Sequence, residues 1–158
     1  MSKFLVSILA LAFLAVTFSE GSSLPKKSAA ARIEIVKDIR AFRSAHPAVE
    51  LIPLATTRSI DRQQITYTIG QRQQGDQLVA VNQESQAWEE PQDLMLTISY
   101  PASGTGATVT YARIVVQQSS SEGRGYVVAG GIGQRFIQII IEASKTTFFT
   151  YSSQIYGR

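Results

Sequence analysis

The sequence contains no cysteine. Disulfides, thiol nucleophiles and thiolate metal sites are all excluded, and core packing is left to hold the fold. Histidine occurs once, as His46 directly before Pro47. A histidine-pair metal site or a Ser-His-Asp arrangement inside the domain is therefore hard to build, and His46 reads as a solvated residue near a helix end. The one asparagine, Asn82, is followed by Gln83 and Glu84, so there is no Asn-x-Ser/Thr acceptor for glycosylation. The acids Asp76, Glu84, Glu89 and Glu90 fall on strand ends and loops, where carboxylates are usually solvated, and no pair has surroundings that would drive two pKa values apart. No catalytic, cofactor-binding or metal-ligating residue is assigned, and the chain reads as non-enzymatic.

The formal charge of +3 is unevenly spread. Lys26, Lys27, Arg32, Lys37, Arg40 and Arg43 face only Glu34 and Asp38, whereas from residue 44 onward Lys and Arg nearly balance Asp and Glu. A near-neutral globular part argues against a broad basic face gripping nucleic acid, and against aromatic stacking on single strands. Attraction to acidic partners is expected in the N-terminal segment.

Residues 1–23 have the layout of a secretory signal: Lys3, an apolar run from Phe4 to Phe18, then small and polar residues. The run is short for a membrane span, so no transmembrane segment is expected after cleavage and the protein should be extracellular. Residues 24–63 read as a basic amphipathic helix followed by an extended linker. Ala31, Ile35, Ile39 and Phe42 form one helical stripe with Ser28 as cap. Lys26-Lys27 and Arg40-Ala-Phe-Arg43 could be cut by a basic-residue endoprotease, which would make the helix a propeptide.

Residues 64–158 read as a β domain. Apolar and polar residues alternate at 65–69, and Gly70 to Asp76 supplies turn chemistry before apolar content resumes at 78–81, a hairpin signal. The acidic, proline-bearing stretch at Trp88-Glu89-Glu90-Pro91 should cross an end of the fold. Alternation returns at 94–100 and at 108–118, where Val109, Tyr111 and Val115 fall on one face and Ala112, Ile114 and Val116 on the other. In residues 125–141 two apolar runs flank Gly130, Gly131 and Gly133, which implies strand, tight turn with positive φ, and buried strand. A phosphate-cradling loop would need a helix after the glycines, and Phe136 to Ile141 has strand composition instead. With a last strand near Phe148 to Ser152, the pattern predicts a mainly β fold: a small antiparallel β-sandwich or barrel of about seven strands preceded by one amphipathic helix.

Over roughly residues 66–158 the chain resembles the insect family named for multiprotein bridging factor type two, a group also described as transcription activators and salivary secreted peptides. The resemblance is carried by Gly70-Gln71-Arg72-Gln73-Gln74-Gly75-Asp76 before an apolar strand, by Gly130-Gly131-Ile132-Gly133-Gln134, and by Ile155-Tyr156-Gly157. Gly70, Gly75, Asp76, Gly130, Gly131, Gly133, Ile155, Tyr156 and Gly157 form the signature and read as structural. The chain departs from the family pattern at Thr146-Thr147, where glycines are frequent, and in the basic segment before Gln64. The resemblance implies either a small secreted protein or a coactivator bridging a nuclear-receptor-type activator and a general transcription factor without reading DNA. With the leader, the expectation is a secreted binding protein with a protein partner, no cofactor and no direct nucleic acid contact.

Overall fold

The computed structural model describes residues 29–38, 40–59, 61 and 63–158. The signal-like leader at 1–23, Lys26-Lys27, the Ser28 cap and Ile39 of the helical stripe lie outside the described residues. In chain order the elements are β1 (Ala30–Val36), α1 (Ala41–Ala45), β2 (Ile52–Pro53), β3 (Ala55–Ser59), β4 (Gln64–Gly70), β5 (Gln77–Tyr100), β6 (Val109–Gln118), β7 (Gly123–Gly130) and β8 (Ile137–Gly157).

The strands form one antiparallel sheet in the order β1-β5-β8-β6-β4-β3, with β7 also on β8 and β2 on β7. Strand β8 is the spine. One side pairs with β5 from Gln77↔Gly157 to Tyr100↔Ile137. Its other side is shared: β7 takes the stretch from Ile137 to Ala143 and β6 the stretch from Phe149 to Gly157. The sheet thus has two wings through which β5 and β8 run without interruption. Their inner faces meet in a single core that includes Leu94, Leu96 and Ile98 from β5, Ile139 and Ile141 from early β8, Tyr67 from β4, and Phe149 from late β8. Contact between the wings is direct. A Cβ on Gly125 of β7 would lie 2.8 Å from the Tyr67 ring and 2.9 Å from Leu54, so the bare glycine lets the wings close. Burying such side chains contributes about 25 cal/mol per Å² of apolar surface, which offsets chain entropy without a covalent staple.

The wings join where the β5–β8 register breaks. Ala87 pairs with Phe148 and the next partners are Gln92 and Thr146, so Trp88, Glu89, Glu90 and Pro91 lie in a bulge of β5. Proline has no N–H to donate and fits where pairing lapses. Asp93 closes the break, its Oδ1 accepting from Ser144 Oγ at 3.0 Å and Lys145 N at 2.9 Å. Beside it, Thr146 and Thr147 bind Ser119: Ser119 N donates to Thr146 Oγ1 at 3.1 Å and Thr147 N to Ser119 Oγ at 2.8 Å.

A mainly β, antiparallel fold agrees with the sequence reading, while several finer expectations are corrected. The sheet is open and is not a barrel. It has eight strands rather than about seven, and two pairs of expected short strands are in fact the long β5 and β8. The expected hairpin between residues 65–69 and 78–81 does not form, because β4 pairs with β3 and β6, whereas β5 pairs with β1 and β8. The Trp88 stretch lies within a strand, at its bulge. The expected helix is a strand over Ala30–Val36 and a five-residue helix over Ala41–Ala45. Ala30 to Val36 also carries a period of two, and Ile33, Ile35 and Val36 are β-branched. The long β5 offers an open edge at Asp93 to Ser99 with which this segment pairs, burying part of Ala31 and Ile33 against the core. The expected linker contains β2 and β3 for the same reason: β7 and β4 supply partners. In β6 a register shift between Val109 and Tyr111 puts Val109 on the inner face with Ala112, Ile114 and Val116, not with Tyr111 and Val115.

Candidate functional site

The signature residues converge at one end of the second wing, where β4 ends, β5 and β6 begin and β8 finishes. The β4–β5 turn folds back on itself: Asp76 N donates to Gln73 O at 3.2 Å and Gln73 N returns a bond to Asp76 Oδ2 at 2.9 Å. Gly70 presses against the Thr110 carbonyl of β6 and the Ile132 side chain of the β7–β8 turn. That turn is tied to β6 by Gly133 N to Val109 O and Val109 N to Gln134 O, both 2.8 Å. Gly157 packs where a Cβ would meet Thr108 O at 2.8 Å, and Arg158 and Thr108 exchange backbone bonds of 3.0 and 2.9 Å. Ile155 points into the core while its neighbour Tyr156 faces outward, as strand alternation requires.

Asp76 is the hub of this corner. Its side chain has no exposed surface. It accepts from Arg72 Nε at 2.9 and 3.1 Å, from Arg72 Nη2 at 2.8 Å, from Gln73 N at 2.9 Å and from Thr110 Oγ1 at 2.9 Å. The Arg72 guanidinium lies 3.7 Å above the centre of the Tyr156 ring, whose own neighbour is Tyr111 at 5.9 Å between centroids. The Arg72 hydrogen bond first, then those from Gln73 N and Thr110, hold the Asp76 carboxyl down to about 2 against the opposing effect of desolvation. Both carboxylate oxygens are engaged, so the group ties β5, β6 and the turn together rather than exchanging protons near neutrality.

A pH prediction follows from that geometry. Between the ordinary value of 3.8 and the folded value of about 2, the unfolded chain takes up a proton that the folded chain refuses. Stability from Asp76 is therefore complete above pH 3.8 and is lost as pH falls towards 2. In urea unfolding measured across this range, Asp76→Asn should flatten the acid limb relative to the parent protein. An unchanged slope in the variant would show that Asp76 is not held as described.

Gly75 sits at the exposed tip of the turn. Arg72 and Thr110 were not singled out by sequence reading. The usable signal for Thr110 was a hydroxyl beside the inward positions of an alternating strand, where it is 2 % exposed. The other acids considered, Glu84, Glu89 and Glu90, are exposed. His46 is exposed at the end of α1, stacked on Phe42 with centroids 4.4 Å apart. Among the described residues no group of three His, Cys, Asp or Glu is placed to hold a metal, and no helix is long and apolar enough to cross a membrane.

Among the described residues, surfaces away from this corner are open. Over β5, β8 and β6 an outward trough of about 530 Å³ is lined by uncharged Gln83, Ser85, Val115, Gln117, Thr150 and Ser152 beside Glu84. Where α1, β3, β7 and early β8 meet, cavities of about 400 and 310 Å³ share Arg40, Arg124 and Glu142 as lining residues. The sequence reading missed this second place because its residues lie far apart along the chain.

Fold and corner together define a small antiparallel β domain in which glycines, an Arg–Asp pair and a tyrosine near the end of β8 lock four strand ends. The family model described as Transcription activator MBF2 matches residues 69–157, more than half of the chain, and the protein belongs to that family. The match opens one residue before Gly70 and closes on Gly157, so it spans every signature residue of the corner. No curated protein and no solved structure matches the chain.

Proposed function

We propose that this protein is a secreted, non-enzymatic β domain that works by binding a partner. The observation that carries the reading is Asp76. The signature's one ionisable acid is buried, paired with Arg72 and hydrogen-bonded at both oxygens. A signature used up in joining strands supports a scaffold that presents surfaces. The leader pattern of residues 1–23 supports secretion.

A second reading is favoured by the family's description as transcription activators: a coactivator bridging two proteins through surface contacts. The two readings part on location. Intact-mass and N-terminal analysis of protein from the medium and from the nuclei of insect cells expressing the gene is expected to find a secreted species beginning between Glu20 and Leu24, or after a basic site farther on. A nuclear species beginning at Met1 or Ser2 would overturn secretion and put the coactivator first.

A further inference from the structure

The cleft between α1 and β7 concentrates charge. Arg40 at the N-cap of α1 and Arg43 in its last turn come from one segment, Arg58 from β3 and Arg124 from β7. All four line one or both of the adjoining cavities, and all four are exposed. Among the described residues the ion pairs are Arg32–Glu34 and Arg72–Asp76, so none of the four has a carboxylate within 4.0 Å. Arg58 is steadied by donating from Nη2 to Gly123 O at 2.9 Å, which holds its guanidinium at the cavity wall.

Glu142 is the acid lining both cavities, and it is only 8 % exposed. Burial pushes its carboxyl up, while Arg124 and Arg43 pull it down and Asp38 adds to the rise. Glu142, with the exposed Glu122 lining the larger cavity, sets two carboxylates against four guanidiniums gathered from three segments, so positive charge remains in excess. Like charges held together repel, and an anion entering the cleft would relieve that repulsion. Guanidinium forks match the oxygens of tetrahedral oxyanions in paired hydrogen bonds, which a solvated surface lysine does less well. The combined space suits a charged group with a small ring attached.

We propose that this cleft binds a ligand through a sulfate or phosphate ester, gripped by Arg40, Arg43, Arg58 and Arg124, with Glu142 setting the affinity from beneath. The site is separate from the signature corner, and the inference holds whichever side of the membrane the protein works on.

The test is a titration of the purified protein, by calorimetry and by amide chemical shifts around Arg124 and Glu142. Probes are inorganic sulfate, inorganic phosphate, glucose 6-sulfate and glucose 6-phosphate, with glucose as the uncharged control. Saturable binding of the anions at one site is expected, competing with one another and weakening with added chloride, with no response to glucose. Whether sulfate or phosphate compounds bind more tightly identifies the ester. Arg43→Gln and Arg124→Gln should each weaken binding about tenfold, the size of one charge-assisted hydrogen bond, with amide spectra otherwise unchanged. Arg113→Gln, a control on the outer face of β6, should bind as the parent does. Glu142→Gln, which removes the negative charge at constant shape, should tighten binding. No saturable response to any anion would overturn the proposal. So would an equal loss in Arg113→Gln, or weaker binding in Glu142→Gln.

Discussion

Replacing Phe149 by alanine is expected to cost about 3–5 kcal/mol of folding stability, the range for emptying a buried phenylalanine site. Phe149 is fully buried on the second half of β8, with Gln86 of β5 on one side and Gln118 of β6 on the other. Its ring lies 6.2 Å from that of Tyr151 at a tilt of 44°, and both belong to the core shared by the two wings. Strands flank it on either side, so the surroundings are poorly placed to collapse into the void. Urea unfolding checks the value. Phe149→Leu should recover much of the loss, because most of the volume is restored. A loss below about 1 kcal/mol for Phe149→Ala would mean that this wing is not packed as a native interior.

Gly130→Ala is the second large effect, and it arises from backbone rather than burial. Gly130 opens the β7–β8 turn at φ 65°, where an L side chain is disfavoured by about 1–2 kcal/mol. A Cβ there would also collide with the Phe136 carbonyl oxygen and lie 2.7 Å from Phe136 Cδ2. The same carbonyl accepts a 3.0 Å bond from Gly131 N, so moving it opens the turn that ties β7 to β8. The combined loss should reach about 3 kcal/mol or more. Gly75→Ala isolates the first contribution. It has φ 84° but nothing within 4 Å of its added Cβ, so its loss should stay near the backbone value alone. Equal losses at both positions in thermal or urea unfolding would remove the collision from the explanation.

These two sites differ in how far the sequence revealed them. Three glycines between two apolar runs announce a strand-turn-strand, and Gly130, Gly131 and Gly133 all have positive φ. Gly75 and Asp76 were legible as a turn for the same reason: turn chemistry is local and reads directly from residue type. Alternation sets Phe149 with Tyr151 against Phe148, Thr150 and Ser152, as the burial pattern bears out, but which of the two faces turns inward was not legible. Phe148 and Phe149 are adjacent and equally apolar, and only the register with β5 and β6 turns Phe149 inward and leaves Phe148 part-exposed.

The N-terminal segment shows the opposite failure. Residues 30–36 satisfy a helical stripe and a strand alternation together, and the open edge of β5 decides between them. Apolar spacing in a short stretch is compatible with both periods, so local pattern cannot outweigh a partner strand that lies about sixty residues away in the chain.

By itself the sequence determined the class of the molecule. Alternating apolar residues and punctuating glycines made it an antiparallel β protein, and the absence of cysteine, with a single histidine, closed off thiol chemistry and histidine-pair metal sites. The family too was legible, because its signature of turn glycines, Asp76 and the closing Ile155-Tyr156-Gly157 of β8 keeps its order in one dimension. Tertiary structure alone decided that β5 and β8 are long strands joining two wings, that Asp76 meets Arg72 and Thr110, and that Arg40, Arg43, Arg58 and Arg124 line adjoining cavities around Glu142. The physical reason is the same in each case. Strand pairing and charge assembly depend on which distant segments come together, and that is set by the lowest free energy of the whole sheet, which no local window of residues contains.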